Sequence, residues 1–260
     1  MARPHIESID AYGVAPVVLG EGLFAGARSR LLSADDSDGS STALVTCPAG
    51  WRGELGGSRA VELLLLTGAG SLGGRALRPG TWAWVPAGAV GGELVLAAES
   101  DVLVMVESER SAGGEVEVID TVEAVFEEVS VATEVTGVPP GLSIKSLRVD
   151  AETRDRSWIA GAVPGWLGYR AEIHPTVEEA LLLRGDCLLG NSGTMRAGDY
   201  FWRPGGIYHG PFATREGMLY FFRTKGGDLA VEWFDPPGWE KQARAYYDQT
   251  PFFAAGVGGA

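Results

Sequence analysis

Only three histidines occur among the 260 residues, His5, His174 and His209, so any imidazole chemistry open to this chain can be examined by elimination. Glu172, Ile173 and His174 read as alternating strand residues, which puts the Glu172 and His174 side chains on one face. Glu178 follows at the start of the next predicted strand. His209 closes the set from the turn after Pro204-Gly205-Gly206-Ile207-Tyr208, where a neighbouring strand would return beside the first pair. Two imidazoles and a carboxylate on adjacent strands form a facial set that holds a divalent ion and leaves positions open for substrate or dioxygen. If Glu172 also ligates, the two carboxylates neutralise a 2+ charge and favour a harder ion such as Fe(II) or Mn(II) over Cu(I). If it does not, it is placed to act as general base toward an acidic C–H. His5, near the chain's start, is expected to lie outside the site.

Other signals are weaker. Gly68-Ala69-Gly70-Ser71-Leu72-Gly73 fits a dinucleotide-binding glycine pattern, but a turn and another strand follow where that motif needs a helix N-terminus. Asp35-Asp36-Ser37-Asp38-Gly39 lacks the acidic residue that ends a calcium loop and reads as a solvated turn. No Gly-x-Ser-x-Gly is present, which argues against a hydrolytic triad. Cys47 and Cys187 stand far apart, in no metal-ligand spacing, and read as core thiols. With 34 acidic against 21 basic residues the net charge is -13, which disfavours nucleic acid and anionic membrane partners. The opening residues lack the apolar stretch of a signal peptide, so a cytoplasmic location is expected.

The elements that must position these residues come from a repeat. Pro48-Ala49-Gly50-Trp51, Val61 to Gly68 and Gly80 to Gly88 return, at an offset of roughly 115 to 118 residues, as Pro164-Gly165-Trp166, Glu178 to Gly185 and Gly198 to Gly206. Within each copy, short runs of Leu, Val and aromatic residues alternate with Gly, Pro, Asp or Asn at hairpin-like intervals, the pattern of an all-β sandwich or barrel. One helix is expected, from Trp239 to Asp248, after Pro236-Pro237-Gly238. The expected organisation is an N-terminal barrel over 1–125, a C-terminal barrel over 126–236 and a helical tail over 237–260.

The stretch from Gly168 to His209 resembles the two sequence motifs of the cupin superfamily. The first is Gly, a spacer, His-x-His, three or four residues, Glu, six residues, Gly. Here Glu172-x-His174, Pro175-Thr176-Val177, Glu178 and, six residues on, Gly185 match except at the first histidine. The second is Gly, five residues, Pro-x-Gly, two residues, His; Gly198, Pro204, Gly206 and His209 match it fully. With two copies in series the chain resembles a bicupin: two tandem double-stranded β-helix, or jelly-roll, barrels. The resemblance implies a metal held by His174, Glu178 and His209, with Glu172 in place of the first histidine. A one-residue bulge would exchange Glu178 for Glu179. In the first copy the aligned positions are Leu55, Gly57, Val61 and Gly91, none able to ligate through a side chain, so that barrel is expected to serve folding or dimerisation.

Around the site, Trp166, Tyr169, Tyr200, Trp202, Tyr208 and Phe222 suggest a largely apolar pocket. Lys145, Arg170, Arg203 and Arg223 are candidates to anchor an acidic or enolate oxygen. The expected substrate pocket is Trp166, Tyr200, Trp202, Arg203, Phe222 and Arg223, and the candidate catalytic residues are Glu172, Glu179 and Tyr208. Together these features suggest a metal-dependent enzyme of dioxygenase or oxidoreductase type, with isomerase or lyase chemistry open, acting on a small organic molecule. Fe(II) is favoured, with Mn(II), Ni(II) and Zn(II) open. The rival is a non-enzymatic sensor cupin that reports metal or ligand occupancy to another protein. A homodimer is expected, since cupins commonly pair through edge strands.

Overall fold

The computed structural model describes residues 3–90, 92–107, 114–190 and 192–248, with positions 240 and 246–248 described by backbone alone. Nearly all regular structure is strand, and the helices among the described residues are Val129–Thr133 and Trp239–Asp248. Neither is long and apolar enough to cross a membrane. The chain forms two compact units, one from Met1–Pro4 with Asp10–Ala124, the other from His5–Ile9 with Val125–Ala260. The expected 1–125 unit therefore needs one correction: His5–Ile9 belong to the second unit, because the strand Ile6–Asp10 adds to its sheet beside Asp199–Arg203. Strand pairing at a distance in sequence has no local signature.

In the first unit a seven-stranded sheet runs Glu117–Asp120, Thr81–Val85, Val61–Leu65, Ser100–Val106, Ser41–Cys47, Arg28–Ala34, Val17–Val18. A four-stranded sheet of Arg52–Glu54, Glu93–Leu96, Gly70–Leu72 and Arg75–Leu77 accompanies it. Leu63, Leu65, Val45 and Val104 from the first meet Leu72, Leu77, Leu94 and Leu96 from the second in one core. The aligned positions Leu55 and Val61 are buried in that core, and Gly91 lies outside the described residues. The glycine-rich stretch Gly68 to Gly73 runs into the hairpin of Gly70–Leu72 with Arg75–Leu77, with no helix to receive a dinucleotide.

The second unit repeats the plan. Its sheet runs Ile6–Asp10, Asp199–Arg203, Val177–Leu189, Met218–Lys225, Arg156–Ala162, Leu142–Val149, Glu127–Glu128. Even the irregularities recur: the pairing register slips between Leu31 and Ser33 in one unit and between Ser146 and Arg148 in the other. The 13-residue strand Val177–Leu189 serves two neighbourhoods. Its first half pairs with Asp199–Arg203 and Met218–Lys225, its second with Gly193–Arg196 and Phe212–Ala213. Between the halves lies Gly185, at φ 83°, where a Cβ would stand 1.8 Å from the Gly217 carbonyl oxygen. Only glycine fits, which accounts for the last residue of the first motif. The expected helix Trp239–Asp248 is present and packs Trp239 and Ala243 against Leu188 and Ala213, while the rest of the tail, 249–260, lies outside the described residues.

Gly185→Ala should lower the unfolding free energy by more than about 1 kcal/mol, read as a drop in melting temperature. Gly57→Ala, at a position with nothing within 4 Å, should leave it unchanged. Equal melting temperatures for the two variants would contradict the packing described at the bend.

Candidate metal centre

Two short segments hold the site. The strand Ala171–Ile173 pairs with Glu232–Phe234, and Glu172 and His209 face each other across an isolated bridge. There the Glu172 N–H donates to the His209 carbonyl at 2.9 Å and the His209 N–H to the Glu172 carbonyl at 3.0 Å. The Pro204-Gly205-Gly206 turn is locked onto His174 from the other side: the Gly206 N–H donates to the His174 carbonyl at 2.8 Å, and a Cβ on Gly205 would stand 1.9 Å from the Pro175 oxygen. Gly205 is thus a close-approach position, and Gly206, at φ 80°, takes the left-handed conformation of the turn that carries the chain toward His209.

Both rings are oriented through Nδ1. His209 Nδ1 lies 2.8 Å from the Ile207 carbonyl oxygen, and His174 Nδ1 lies 3.0 Å from both the carbonyl and the hydroxyl oxygen of Thr176. A carbonyl can only accept, so in the neutral ring Nδ1 carries the hydrogen and Nε2 is left as a lone pair. The two Nε2 atoms are buried and have no hydrogen-bond partner. Glu178 Oε2 lies 3.8 Å from His174 Nε2 and 3.6 Å from His209 Nε2, and Glu172 Oε1 lies 3.2 Å from His209 Nε2, out of line for a hydrogen bond. One ligand atom from each of His174, Glu178 and His209 fits within a 4.8 Å span. Lone pairs facing carboxylate oxygens in a buried space repel unless a cation stands between them, so this donor set fits a metal ion.

The charges agree. Burial opposes ionisation of Glu178, yet its interaction with His174 and the charges of His209 and Arg203 hold its pKa down at about 2. Burial likewise opposes an imidazolium at His174, but the Glu178 and Glu172 carboxylates outweigh it and raise the pKa above the ordinary value. Both shifts describe a place that attracts positive charge.

Beside the cluster lies a cavity of about 130 Å³, lined by Glu172, His174 and Glu178 at one part and mainly by apolar and aromatic side chains elsewhere. Trp166 and Phe222 line it as expected, joined by Trp158, Phe201, Tyr220 and Trp233. Arg170 also lines it; its guanidinium lies 5.0 Å from the Trp233 ring centre and donates to the Gly137 carbonyl at 2.9 Å. Tyr169, also at the cavity, is exposed.

Several expected residues are not brought here. In the strand register Glu178 pairs with Arg203, Ala180 with Phe201 and Ala180 with Phe222, so these share a face, and Glu179, Tyr200, Trp202 and Arg223 point the other way. Glu179 instead accepts a hydrogen bond from the Tyr200 hydroxyl at 2.6 Å and pairs with Arg223 at 3.2 Å. The first unit has the same device at the matching positions, where Trp82 Nε1 donates to Glu62 at 2.6 Å. The pairing recurs in both copies and Glu179 does not line the cavity, so the structure does not bring this candidate catalyst to the site. Nor is Tyr208 brought there, since it is half exposed, packs on Phe234 and does not line the cavity. Lys145 lies over the Phe126 ring, away from the lining residues. Arg203 contacts Glu178, at 3.5 Å, rather than the cavity. His5 is not among the clustered ligands but pairs with Glu7 at 3.0 Å. Trp158 and Trp233 were missed for want of a motif, whereas Phe201 and Tyr220 follow from register once Glu178 is set inward.

The chain belongs to a family described as a domain of unknown function, DUF4437, whose model matches residues 18–231. No curated protein matches it. Among solved structures it is similar to a provisionally assigned dioxygenase from Nostoc punctiforme PCC 73102, with TM-score 0.74 and 21% identity over 88% of this chain and 86% of that one. A provisionally named glyoxylate-induced protein from Pseudomonas aeruginosa gives TM-score 0.63 and 16% identity over 84% and 88%. Oxalate decarboxylase from Bacillus subtilis gives 0.53 and 12% over 95% and 84%. At such identities the likeness is one of fold.

The geometry has a direct check in solution. In metal-free protein above the histidine pKa values, nitrogen NMR should show His209 with its proton on Nδ1 and a bare Nε2. The opposite tautomer would contradict the orientation described.

Proposed function

We propose that this chain is a bicupin enzyme whose second unit binds one divalent metal through His174, Glu178 and His209 and acts on a small organic molecule in the adjoining cavity. The observation that carries this reading is the pair of buried Nε2 atoms without a hydrogen-bond partner that converge with the Glu178 carboxylate, beside a largely apolar cavity that His174 and Glu178 line. The first unit, with Leu55 and Val61 at the aligned positions, acts as scaffold.

Fe(II) is the favoured ion. When bound, the ion supplies Lewis acidity toward a carbonyl or enolate oxygen and, as iron, redox chemistry with dioxygen. The chain's own residues do the rest. A cavity of about 130 Å³ suits a molecule near the size of benzene, which occupies a dry engineered cavity of about 150 Å³. Its aromatic walls exclude water and strengthen every charge inside. Arg170, steadied by Trp233 and Gly137, is available to orient an acidic oxygen of the substrate. Glu172, with its side chain 15% exposed and lining the same cavity, can receive a proton at Oε1 from an acidic C–H or add a fourth ligand. Dioxygenase or oxidoreductase-type turnover is the reaction class proposed first, and isomerase or lyase turnover uses the same parts.

Elemental analysis of protein purified without added metal tests the site. Near-stoichiometric iron, manganese, nickel or zinc is expected, and its loss in a folded His174→Ala/His209→Ala variant. Metal-free protein that takes up none of these ions on reconstitution would sink the metalloenzyme reading. Glu172→Gln separates its two roles. As a base it leaves metal content intact while turnover falls by about a hundredfold or more; as a ligand it lowers metal affinity.

A further inference from the structure

Arg203 is 1% exposed, and its guanidinium lies between two carboxylates at nearly equal reach. Nη1 stands 3.5 Å from Glu178 Oε2 and Nη2 stands 3.4 Å from Glu7 Oε1. Its carbon lies 3.9 Å from the centre of the Phe201 ring, and its Nε has no hydrogen-bond partner. The Glu178 oxygen it approaches is the one that faces both free imidazole nitrogens. A buried cation and a bound 2+ ion would thus draw on the same atom.

We propose that Arg203 and Glu7 set the metal affinity of this site through Glu178: Arg203 competes for Oε2, and Glu7, on the strand Ile6–Asp10, draws Arg203 away. This rests on the metal-site reading above. Charge counting supports it. Glu7, half-buried, with Glu172 and Glu178 carries three negative charges and Arg203 one positive, so a divalent ion brings the set to zero. Without the Glu7 charge, the same set with its ion carries a net positive charge, and the guanidinium has Glu178 as its remaining carboxylate. Glu7 is itself anchored. Burial disfavours its charge, but a hydrogen bond with Ser192 and the positive charges of Arg203 and His5 keep its pKa below the usual value. The strand from the start of the chain therefore has a chemical task besides adding to the sheet. Arg203 and Glu7 act on the ion through another side chain, as positioning residues.

Cobalt(II) titration of the full chain, followed by the visible absorption of the bound ion, tests this with circular dichroism as the check on folding. Glu7→Gln should weaken Co(II) binding by about tenfold or more, and Arg203→Met should bind more tightly than wild type. In the Glu7→Gln/Arg203→Met double variant the Glu7 effect should vanish, because no cation is left to turn toward Glu178; a merely structural role for Glu7 would persist in that background. Wild-type affinity in Glu7→Gln, or the same loss with and without Arg203, would overturn the proposal. If Glu7→Gln does not fold, Arg203→Met alone decides, and binding no tighter than wild type overturns it. A wild-type chain that binds no Co(II), Fe(II) or Zn(II) overturns the metal reading itself, which the other failures leave standing.

Discussion

Two hydrogen bonds orient the candidate metal centre: those that join Nδ1 of His209 and of His174 to backbone carbonyls. With the Nδ1 protons committed there, each neutral ring has one lone pair left, and the fold points both into a buried space shared with carboxylate oxygens. A neutral imidazole held in this way cannot donate into that space. A cation fits there. The backbone that accepts the protons belongs to the turns around Thr176 and Ile207, so the tightness of the Pro204-Gly205-Gly206 turn against His174 and Pro175 is part of the site as much as the side chains are.

The repeat separates what the fold needs from what the site needs. Both units contain a buried carboxylate tied to an aromatic donor on the next strand, Glu62 with Trp82 and Glu179 with Tyr200. Both turn at a left-handed glycine with no room for a side chain, Gly68 and Gly185. These features are shared and therefore structural. The neighbouring position differs: Val61 packs into the core of one unit, and Glu178 stands ionised in the other. Conversion of an apolar core position into a low-pKa carboxylate is costly unless positive charge is supplied, and His174, His209 and Arg203 are the groups beside it.

Much of this was legible in the residues. The repeat, the all-β class, the late helix and the convergence of Glu172, His174, Glu178 and His209 all follow from period, turn residues and spacing. Between Glu178 and Glu179, left open by the spacing, the strand register sets Glu178 toward His174 and His209. The pocket wall was read less well, for a simple reason. Tyr200 and Trp202 alternate with Phe201 and Arg203, and a run that is apolar on both faces does not announce which side is inward. Setting Glu178 inward determines the parity of its partners: the expected Phe222 shares its face, Phe201 was within reach of the same reasoning, and Tyr200, Trp202 and Arg223 fall on the other face. Trp158 and Trp233 had no such signal. Nor did the strand Ile6–Asp10, which joins a sheet formed by residues more than a hundred positions later, a pairing that only tertiary structure reveals.

The metal centre is tested most directly by anomalous diffraction from crystals loaded with Fe(II) or Zn(II). One peak is expected at about 2.0–2.2 Å from Nε2 of His174, Nε2 of His209 and a Glu178 carboxylate oxygen. A peak that avoids these three atoms, in a crystal containing stoichiometric metal, would contradict the assignment.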